Sequence, residues 1–331
     1  MADTAVVTAV HRDRYELCLG TESLYARLKT AAFYNCGEIV TFPTVGDRVE
    51  VIRNVDGDST ILKVLERKSV FVRLNATQGL PDQAVAANFD YVFITMSLNK
   101  DFHVTKLERY LAAARQSGGT PVILLTKADL MKDREGILAQ VHALGADVEI
   151  HCVSSHTGEG FCGLEKYFAK EKTIVLLGSS GVGKSSFVNV VLGVDRMRTS
   201  GIREADSQGR HTTTFKQMFS IPNRIVLPDG SIITGGGWII DTPGMRKLLM
   251  GEGADGIEAT FEDIERLVLQ CRFSDCRHQT EPGCAVRQAL EDGTLDERHW
   301  KTYLSLQREE AYSRKRKQVI MRKMEKSGRK R

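Results

Sequence analysis

Thr173-Ile174-Val175-Leu176-Leu177-Gly178-Ser179-Ser180-Gly181-Val182-Gly183-Lys184-Ser185 is the stretch that decides the fold. A strand-type apolar run leads directly into the pattern G-x4-G-K-S/T, and a helical run from Ser186 to Leu192 comes after it. Gly178, Gly181 and Gly183 allow the backbone N–H groups to curl around phosphate oxygens, and the start of the next helix adds a favourable dipole. Lys184 is expected to reach the terminal phosphates of a nucleotide, and Ser185 to hold Mg²⁺ through its hydroxyl. Ser179, Ser180, Val182 and Ser186 complete the expected cradle. A chance Gly/Ser-rich turn is the alternative, but it would not account for the strand before it and the helix after it.

Working outward, Tyr91 to Ile94, Pro121 to Leu125 and Val148 to Ile150 read as further buried strands. Helical spacing separates them: Leu107, Tyr110, Leu111 and Ala114, then Ile137, Val141 and Leu144, then Gly163 to Ala169. Strands and helices alternating at this length predict a parallel sheet covered on both faces, with ligands at the carboxyl ends of the strands. Several suitable groups sit there. Thr126-Lys127-Ala128-Asp129 closes one strand. The Asp129 carboxylate can accept hydrogen bonds from the N1–H and exocyclic amine of guanine, a donor pair adenine lacks. The Lys127 stem can cover the base. Val153-Ser154-Ser155 closes the next strand, where backbone N–H groups can meet the guanine carbonyl. Trp238-Ile239-Ile240 ends in Asp241-Thr242-Pro243-Gly244. Asp241 there can act on Mg²⁺ through water, and the Gly244 N–H can meet the terminal phosphate. In Gly209-Arg210-His211-Thr212-Thr213-Thr214, either Thr212 or Thr213 can complete the Mg²⁺ shell; plain β-propensity of the following strand is the competing explanation.

The order of these motifs is informative. A typical small GTPase begins with its phosphate loop and ends with its base-reading loops; here the base-reading loops come first. Joining the usual ends and cutting the chain elsewhere gives this arrangement, since termini commonly lie close together. One consequence is mechanical: the segment after Gly244 runs straight into the C-terminal domain, so hydrolysis can move that domain directly.

The flanks differ from the centre. From about Tyr15 to Arg73 short strands are punctuated by Val45-Gly46-Asp47 and Asp56-Gly57-Asp58, which predicts a small β-barrel, or otherwise an irregular β extension. After Gly244 the strands stop. Phe261 to Gln270 reads as a helix, and Asp296 to Arg331 as a long polar one. Between them lie Cys271, Cys276, His278 and Cys284, a closed Cys3His set suited to one structural Zn²⁺ rather than a catalytic ion. Buried or free thiols are the alternative. The other cysteines, Cys18, Cys36, Cys152 and Cys162, are scattered, which argues for reduced thiols. Net charge is +4 on 331 residues, with 42% hydrophobic residues. The excess positive charge gathers from Arg314 to Arg331, which suits a phosphodiester backbone or simply a solvated helix face. No run is long and apolar enough for a membrane span, and the start lacks a secretory pattern. A cytoplasmic monomer is expected, with no internal repeat.

Taken together, T-K-A-D at 126–129, G-S-S-G-V-G-K-S at 178–185, G-R-H-T-T-T at 209–214, D-T-P-G at 241–244 and C-x4-C-x-H-x5-C at 271–284 resemble one family: the circularly permuted, ribosome small-subunit-dependent GTPases (RsgA, also called YjeQ). The resemblance covers nearly the whole chain. It implies a multidomain protein: an OB-like N-terminal β-barrel over 1–73, a central α/β phosphate-loop GTPase with permuted motif order over 74–247, and a C-terminal α-helical zinc-binding domain over 248–331. It also implies late maturation of the small ribosomal subunit, contact with its rRNA, and GTP turnover stimulated by that subunit. Two departures stand out. Thr126 occupies a position where GTPases at large commonly have Asn, so a loop-bracing hydrogen bond is expected to weaken. The barrel matches only loosely, through Val45 to Val49. Met245 stands where many GTPases place a water-orienting Gln. A thioether cannot orient water, so slow intrinsic hydrolysis is expected. His211 is the candidate for positioning water, and the resemblance supports it; a structural or RNA-contacting role is the alternative. Two other classes of answer stand beside this one: an RNA-binding assembly factor that GTP locks with little hydrolysis, and a phosphate-loop ATPase or kinase.

Overall fold

The computed structural model describes residues 2–29, 42–54, 56–73, 83–98, 102–131, 134–144, 147–194, 216–241 and 255–328, with backbone alone for 255, 317, 320, 321 and 323–328.

Among the described residues five strands form the N-terminal barrel: β1 (Asp3–Val10), β2 (Tyr15–Leu19), β3 (Glu22–Leu28), β4 (Arg48–Ile52) and β5 (Ser59–Val64). They run in the order β1-β2-β3-β5-β4, and β4 pairs back onto β1, so the sheet closes. Period-two alternation fills the interior: Val49 and Val51 point inward beside Ala5, Val7, Leu17, Ala26 and Ile61. Among those seven the two alanines, Ala5 and Ala26, leave room for the branched side chains around them. The sequence marks the second strand from Tyr15 but misses β1, because Asp3 to Val10 shows little polar–apolar alternation.

The turn at Val45-Gly46-Asp47 joins the barrel to the rest of the molecule. Gly46 has φ +86°, and a Cβ there would lie 2.0 Å from the Ala87 carbonyl oxygen, so the turn requires glycine. Asp47 is fully buried and accepts from the Thr44 N–H at 2.7 Å and from Arg67 Nε and Nη2 at 2.7 and 2.6 Å. A buried carboxylate is tolerated only with this degree of pairing.

A hairpin of β6 (Val70–Arg73) and β7 (Gln83–Ala87) leads into the central sheet. That sheet orders β10 (Glu149–Cys152), β9 (Thr120–Thr126), β8 (Tyr91–Ser97), β11 (Thr173–Leu177) and β15 (Trp238–Asp241) in parallel, with β12 (Lys216–Ser220) antiparallel at its end. The barrel and this sheet are continuous: Ala9 and Val10 of β1 pair with Gln217 and Lys216 of β12. Apolar cores cover both faces, one around Ile94, Leu111, Ile123 and Val175, the other around Phe93, Phe161, Phe187 and Ile239. A second hairpin, β13 (Arg224–Val226) with β14 (Ile232–Thr234), precedes β15. Its three-residue strands are too short to show a period.

Among the described residues three α-helices accompany the sheet: α1 (Val104–Gln116), α2 (Glu135–His142) and α3 (Lys184–Leu192). The helical run expected at 163–169 is instead a 3-10 helix over Phe161–Tyr167. It starts from Gly160 at φ +80°, where a Cβ would meet the Cys152 carbonyl oxygen at 2.0 Å, and it buries Phe161, Leu164 and Tyr167. That i, i+3 spacing is the one a 3-10 helix aligns on one side. Among the described residues the C-terminal part has helices and no strand: α4 (Asp255–Thr260), α5 (Glu262–Leu269), α6 (Ala285–Glu291) and the long α7 (Glu297–Gly328). Its core gathers Ile257, Phe261, Ile264, Val286, Trp300 and Tyr303, and also takes Ala112 and Ala113 from α1. No helix among the described residues is long and apolar enough to cross a membrane.

Candidate functional site

The phosphate loop spans the end of β11 and the start of α3, on the carboxyl side of the central sheet. Gly178 lies against β8: a Cβ there would come within 2.4 Å of the Thr95 carbonyl oxygen. Gly181 and Gly183 have φ of +82° and +99°, which turns successive N–H groups toward one side. Lys184 Nζ donates to the carbonyl oxygens of Gly178 at 2.8 Å and Ser179 at 2.6 Å, so the amine folds back over the loop it serves. Ser180 is exposed, Val182 buried, and Ser179, Ser185 and Ser186 lie between.

The two base-reading loops converge on the phosphate loop. The Thr126 hydroxyl lies 2.5 Å from the Val182 carbonyl oxygen and 3.1 Å from that of Met96. The weakened brace expected of Thr126 is therefore not seen, because its short side chain is buried against the phosphate loop itself. Lys127 sits in the left-handed region at φ +58°, and its Nζ donates to the Gly181 carbonyl at 2.9 Å. Asp129 is exposed, and its Oδ1 accepts from the buried Ser154 hydroxyl at 2.6 Å. Ser154 Oγ in turn accepts from the His156 and Thr157 N–H groups, both at 3.2 Å. The Ala128 N–H donates to the Val153 carbonyl at 3.1 Å, tying one loop to the other. Ser155 is half-buried beside them.

Asp241 ends β15 and is buried. Burial raises its pKa above the ordinary carboxylate value, while the positive charge of Lys184 acts in the opposite direction. The Lys184 amine is thus close enough for its charge to act on the Asp241 carboxyl. His211, Thr212, Thr213, Gly244 and Met245 lie outside the described residues, as does Cys36.

Cys271, Cys276, His278 and Cys284 come together in the helical part, with all four ligand atoms within 4.8 Å of one another. Tetrahedral Zn²⁺ with bonds of about 2.3 Å to sulfur and 2.05 Å to nitrogen requires S···S near 3.8 Å and S···N near 3.5 Å. The observed separations are 3.9 Å for Cys271–Cys284, 3.5 Å for Cys271–His278 Nδ1 and 3.4 Å for Cys284–His278 Nδ1. The set fits one zinc ion. His278 takes φ +57°, a conformation uncommon for a side-chain-bearing residue, which aims its ring inward. Glu281 holds the ligand loop by accepting from the N–H groups of Arg277, Gln279 and Thr280 at 2.8–3.0 Å. Backbone N–H groups, its own among them, pull its carboxyl down to about 2.

Three contributors belong to no sequence motif. Arg134 spans Ala128 and Glu159, donating to the Ala128 carbonyl at 2.6 Å and to Glu159 at 2.6 Å, and so braces both base loops. Glu281 carries no motif signal. The Tyr110 hydroxyl lies 3.2 Å from Ser179 Oγ; its helical spacing marks it only as a core position.

A phosphate loop locked to a K-x-D loop at the carboxyl edge of a parallel sheet, with the K-x-D strand earlier in the chain, defines a phosphate-loop GTPase with permuted motif order. The sequence pattern of the RsgA GTPase family matches residues 64–250. The small ribosomal subunit biogenesis GTPase RsgA 2 of Listeria monocytogenes is 48% identical over 307 residues, 92% of this chain and 83% of the relative. The protein of the same name from Vibrio vulnificus is 40% identical over 93% and 81%. Among solved structures, YjeQ from Thermotoga maritima superposes with a TM-score of 0.64 at 24% identity, covering 94% of this chain and 99% of that one. YloQ, described as a circularly permuted GTPase, gives 0.60 at 22% over 94% and 96%. The chain belongs to the RsgA GTPase family.

Proposed function

We propose that this protein binds GTP across the carboxyl edge of its central sheet and hydrolyses it to GDP and phosphate during late maturation of the small ribosomal subunit, whose binding stimulates turnover. The observation that carries the nucleotide reading is the double lock between loops far apart in sequence: Thr126 on Val182 and Lys127 on Gly181. It ties the loop that carries Asp129 to the phosphate loop, which supports a shared nucleotide site. Asp129, oriented by Ser154, reads the guanine edge, and Lys127 and Ser155 flank the base. Gly178, Ser179, Ser180, Gly181, Val182 and Gly183 wrap the phosphates; Lys184 neutralises them, with Ser186 at the helix start. A buried carboxylate facing the phosphate lysine suits a divalent cation. Ser185, Asp241 and one of Thr212 or Thr213 would hold Mg²⁺, which supplies charge neutralisation on the phosphates. Gly244 meets the terminal phosphate, and His211 positions the attacking water that Met245 cannot.

The parts at 1–73, 74–247 and 248–331 act as barrel, GTPase and zinc module. Cys271, Cys276, His278 and Cys284 would hold one structural Zn²⁺, which would keep the ligand loop closed apart from the hydrolytic chemistry. The basic end of α7 and the barrel supply the rRNA contacts, and the protein works as a cytoplasmic monomer. The relatives named small ribosomal subunit biogenesis GTPases support the choice of partner.

The test is GTP turnover with purified small subunits, large subunits or neither. Stimulation by small subunits alone is expected. Tight GTP binding without turnover in any mixture would instead make the protein a GTP-locked assembly factor, and ATP displacing GTP would overturn the guanine reading.

A further inference from the structure

Helix α1 is buried on two sides. Leu107, Leu111 and Ala114 face the central-sheet core, with Tyr110 packed against it. The opposite side belongs to the zinc module. Ala112 and Ala113 enter its core, and Gly256 of α4 comes so close that a Cβ there would lie 2.5 Å from the Ala112 carbonyl oxygen. Glu108, fully buried, accepts from Arg298 Nη1 at 2.8 Å and pairs with His299 Nδ1 at 2.9 Å. Arg109 donates from Nη2 to both Glu309 oxygens at 2.7 and 2.8 Å. Small residues at the contact and paired charges around it make this a rigid joint.

From the sheet side of the same helix, Tyr110 reaches the phosphate loop. Its hydroxyl meets Ser179 Oγ, and the Ser179 carbonyl is one of the two that point Lys184 Nζ. Adjacent residues of one rigid helix therefore touch the zinc module (Arg109) and the phosphate loop (Tyr110).

We infer that Tyr110 is a positioning residue for the phosphate loop, and that through it α1 transmits the docking of the zinc module to Lys184. The inference rests on the nucleotide site proposed above. Tyr110 acts on the nucleotide only through Ser179 and Lys184. The docked module fixes the height of α1 over the loop, and loosening the joint releases Ser179.

The experiment measures release of N-methylanthraniloyl-GDP from the full chain by stopped flow, with thermal melting to confirm folding. Tyr110→Phe removes one hydroxyl and should speed release about two- to tenfold, the effect of one hydrogen bond. Ser179→Ala should do the same, and the double variant should add nothing. Glu309→Gln, at the far end of the joint, should speed release in the wild-type background and have no effect in Tyr110→Phe. Release unchanged in Tyr110→Phe, or a Glu309→Gln effect equally large in both backgrounds, overturns the inference. Lys184→Ala keeps the two readings apart: if it retains wild-type GDP binding, the nucleotide site itself is wrong, whereas if it loses binding while Tyr110→Phe is silent, only the relay fails.

Discussion

The central sheet and the zinc module are held together by different means. The sheet has apolar cores on both faces, built mostly from its own strands and helices with Phe71, Val85, Ile225 and Ile233 added from the two hairpins, and Phe93, Ile123, Val175, Phe187 and Ile239 are fully or almost fully buried. The module gathers a small core around Phe261, Val286 and Trp300, takes Ala112 and Ala113 from its neighbour, and closes its ligand loop with three thiols and an imidazole. The sheet should therefore fold on packing alone, while the module needs a metal and a partner helix. The part that binds nucleotide carries its own stability; the module takes much of its stability from its attachment.

The largest effect should come from removing the metal. Structural zinc sites contribute roughly 10 kcal/mol of folding free energy in small domains. Chelation, or Cys284→Ser, should melt 255–328 as seen by hydrogen exchange and by loss of helical signal, with the sheet still protected. Loss of protection in both regions together would break the contrast.

The joint itself should be sensitive to pH. Burial acts to lower the His299 pKa, but hydrogen bonds to Asp263 and Glu108, reinforced by their charges, raise it to about 9. A folded pKa above the ordinary 6.5 gives stability that is fully present below about pH 6.5 and lost as pH rises through about 9. Because Asp263 is exposed and solvent screens its pairing with His299, the loss should be ~1 kcal/mol. Urea melts of the module between pH 6 and 10 should show it, and His299→Gln should flatten the profile.

What the sequence discloses divides along the same contrast. Gly178 to Ser185, Asp129 and the four zinc ligands stand out because their chemistry demands particular residue types at fixed spacing. Strand pairing makes no such demand. The junction of β1 with β12 uses backbone groups of Ala9, Val10, Lys216 and Gln217, none of which carries a side-chain signal. Helix α1 misleads for another reason. Glu108 and Arg109 lie outside the apolar spacing of Leu107, Tyr110, Leu111 and Ala114, yet both are paired across an interface formed by residues some 190–200 positions away. Tyr110 fits the apolar period so well that its hydroxyl goes unnoticed. At Thr126 the residue type alone suggests a weaker brace than Asn would give, but burial against Val182 decides the contact.

The smallest effect sharpens the sheet side. Thr126→Val keeps the shape and removes the hydroxyl that meets Val182. A lost buried hydrogen bond of about 1 kcal/mol should weaken GTP binding about fivefold with little change in melting temperature. An equal loss of stability would mean that Thr126 serves the core rather than the site.

The central claim is that one cleft holds guanine at Asp129 and triphosphate at Lys184. Binding of GTP and XTP to the wild-type protein and to Asp129→Asn tests it most directly. Asn presents an amide that can donate to the C2 carbonyl of xanthine and can no longer accept both guanine donors. The account predicts that the substitution costs GTP about a hundredfold or more and gains XTP, with the phosphate loop untouched. Wild-type GTP affinity in Asp129→Asn, with no gain of XTP, would contradict it.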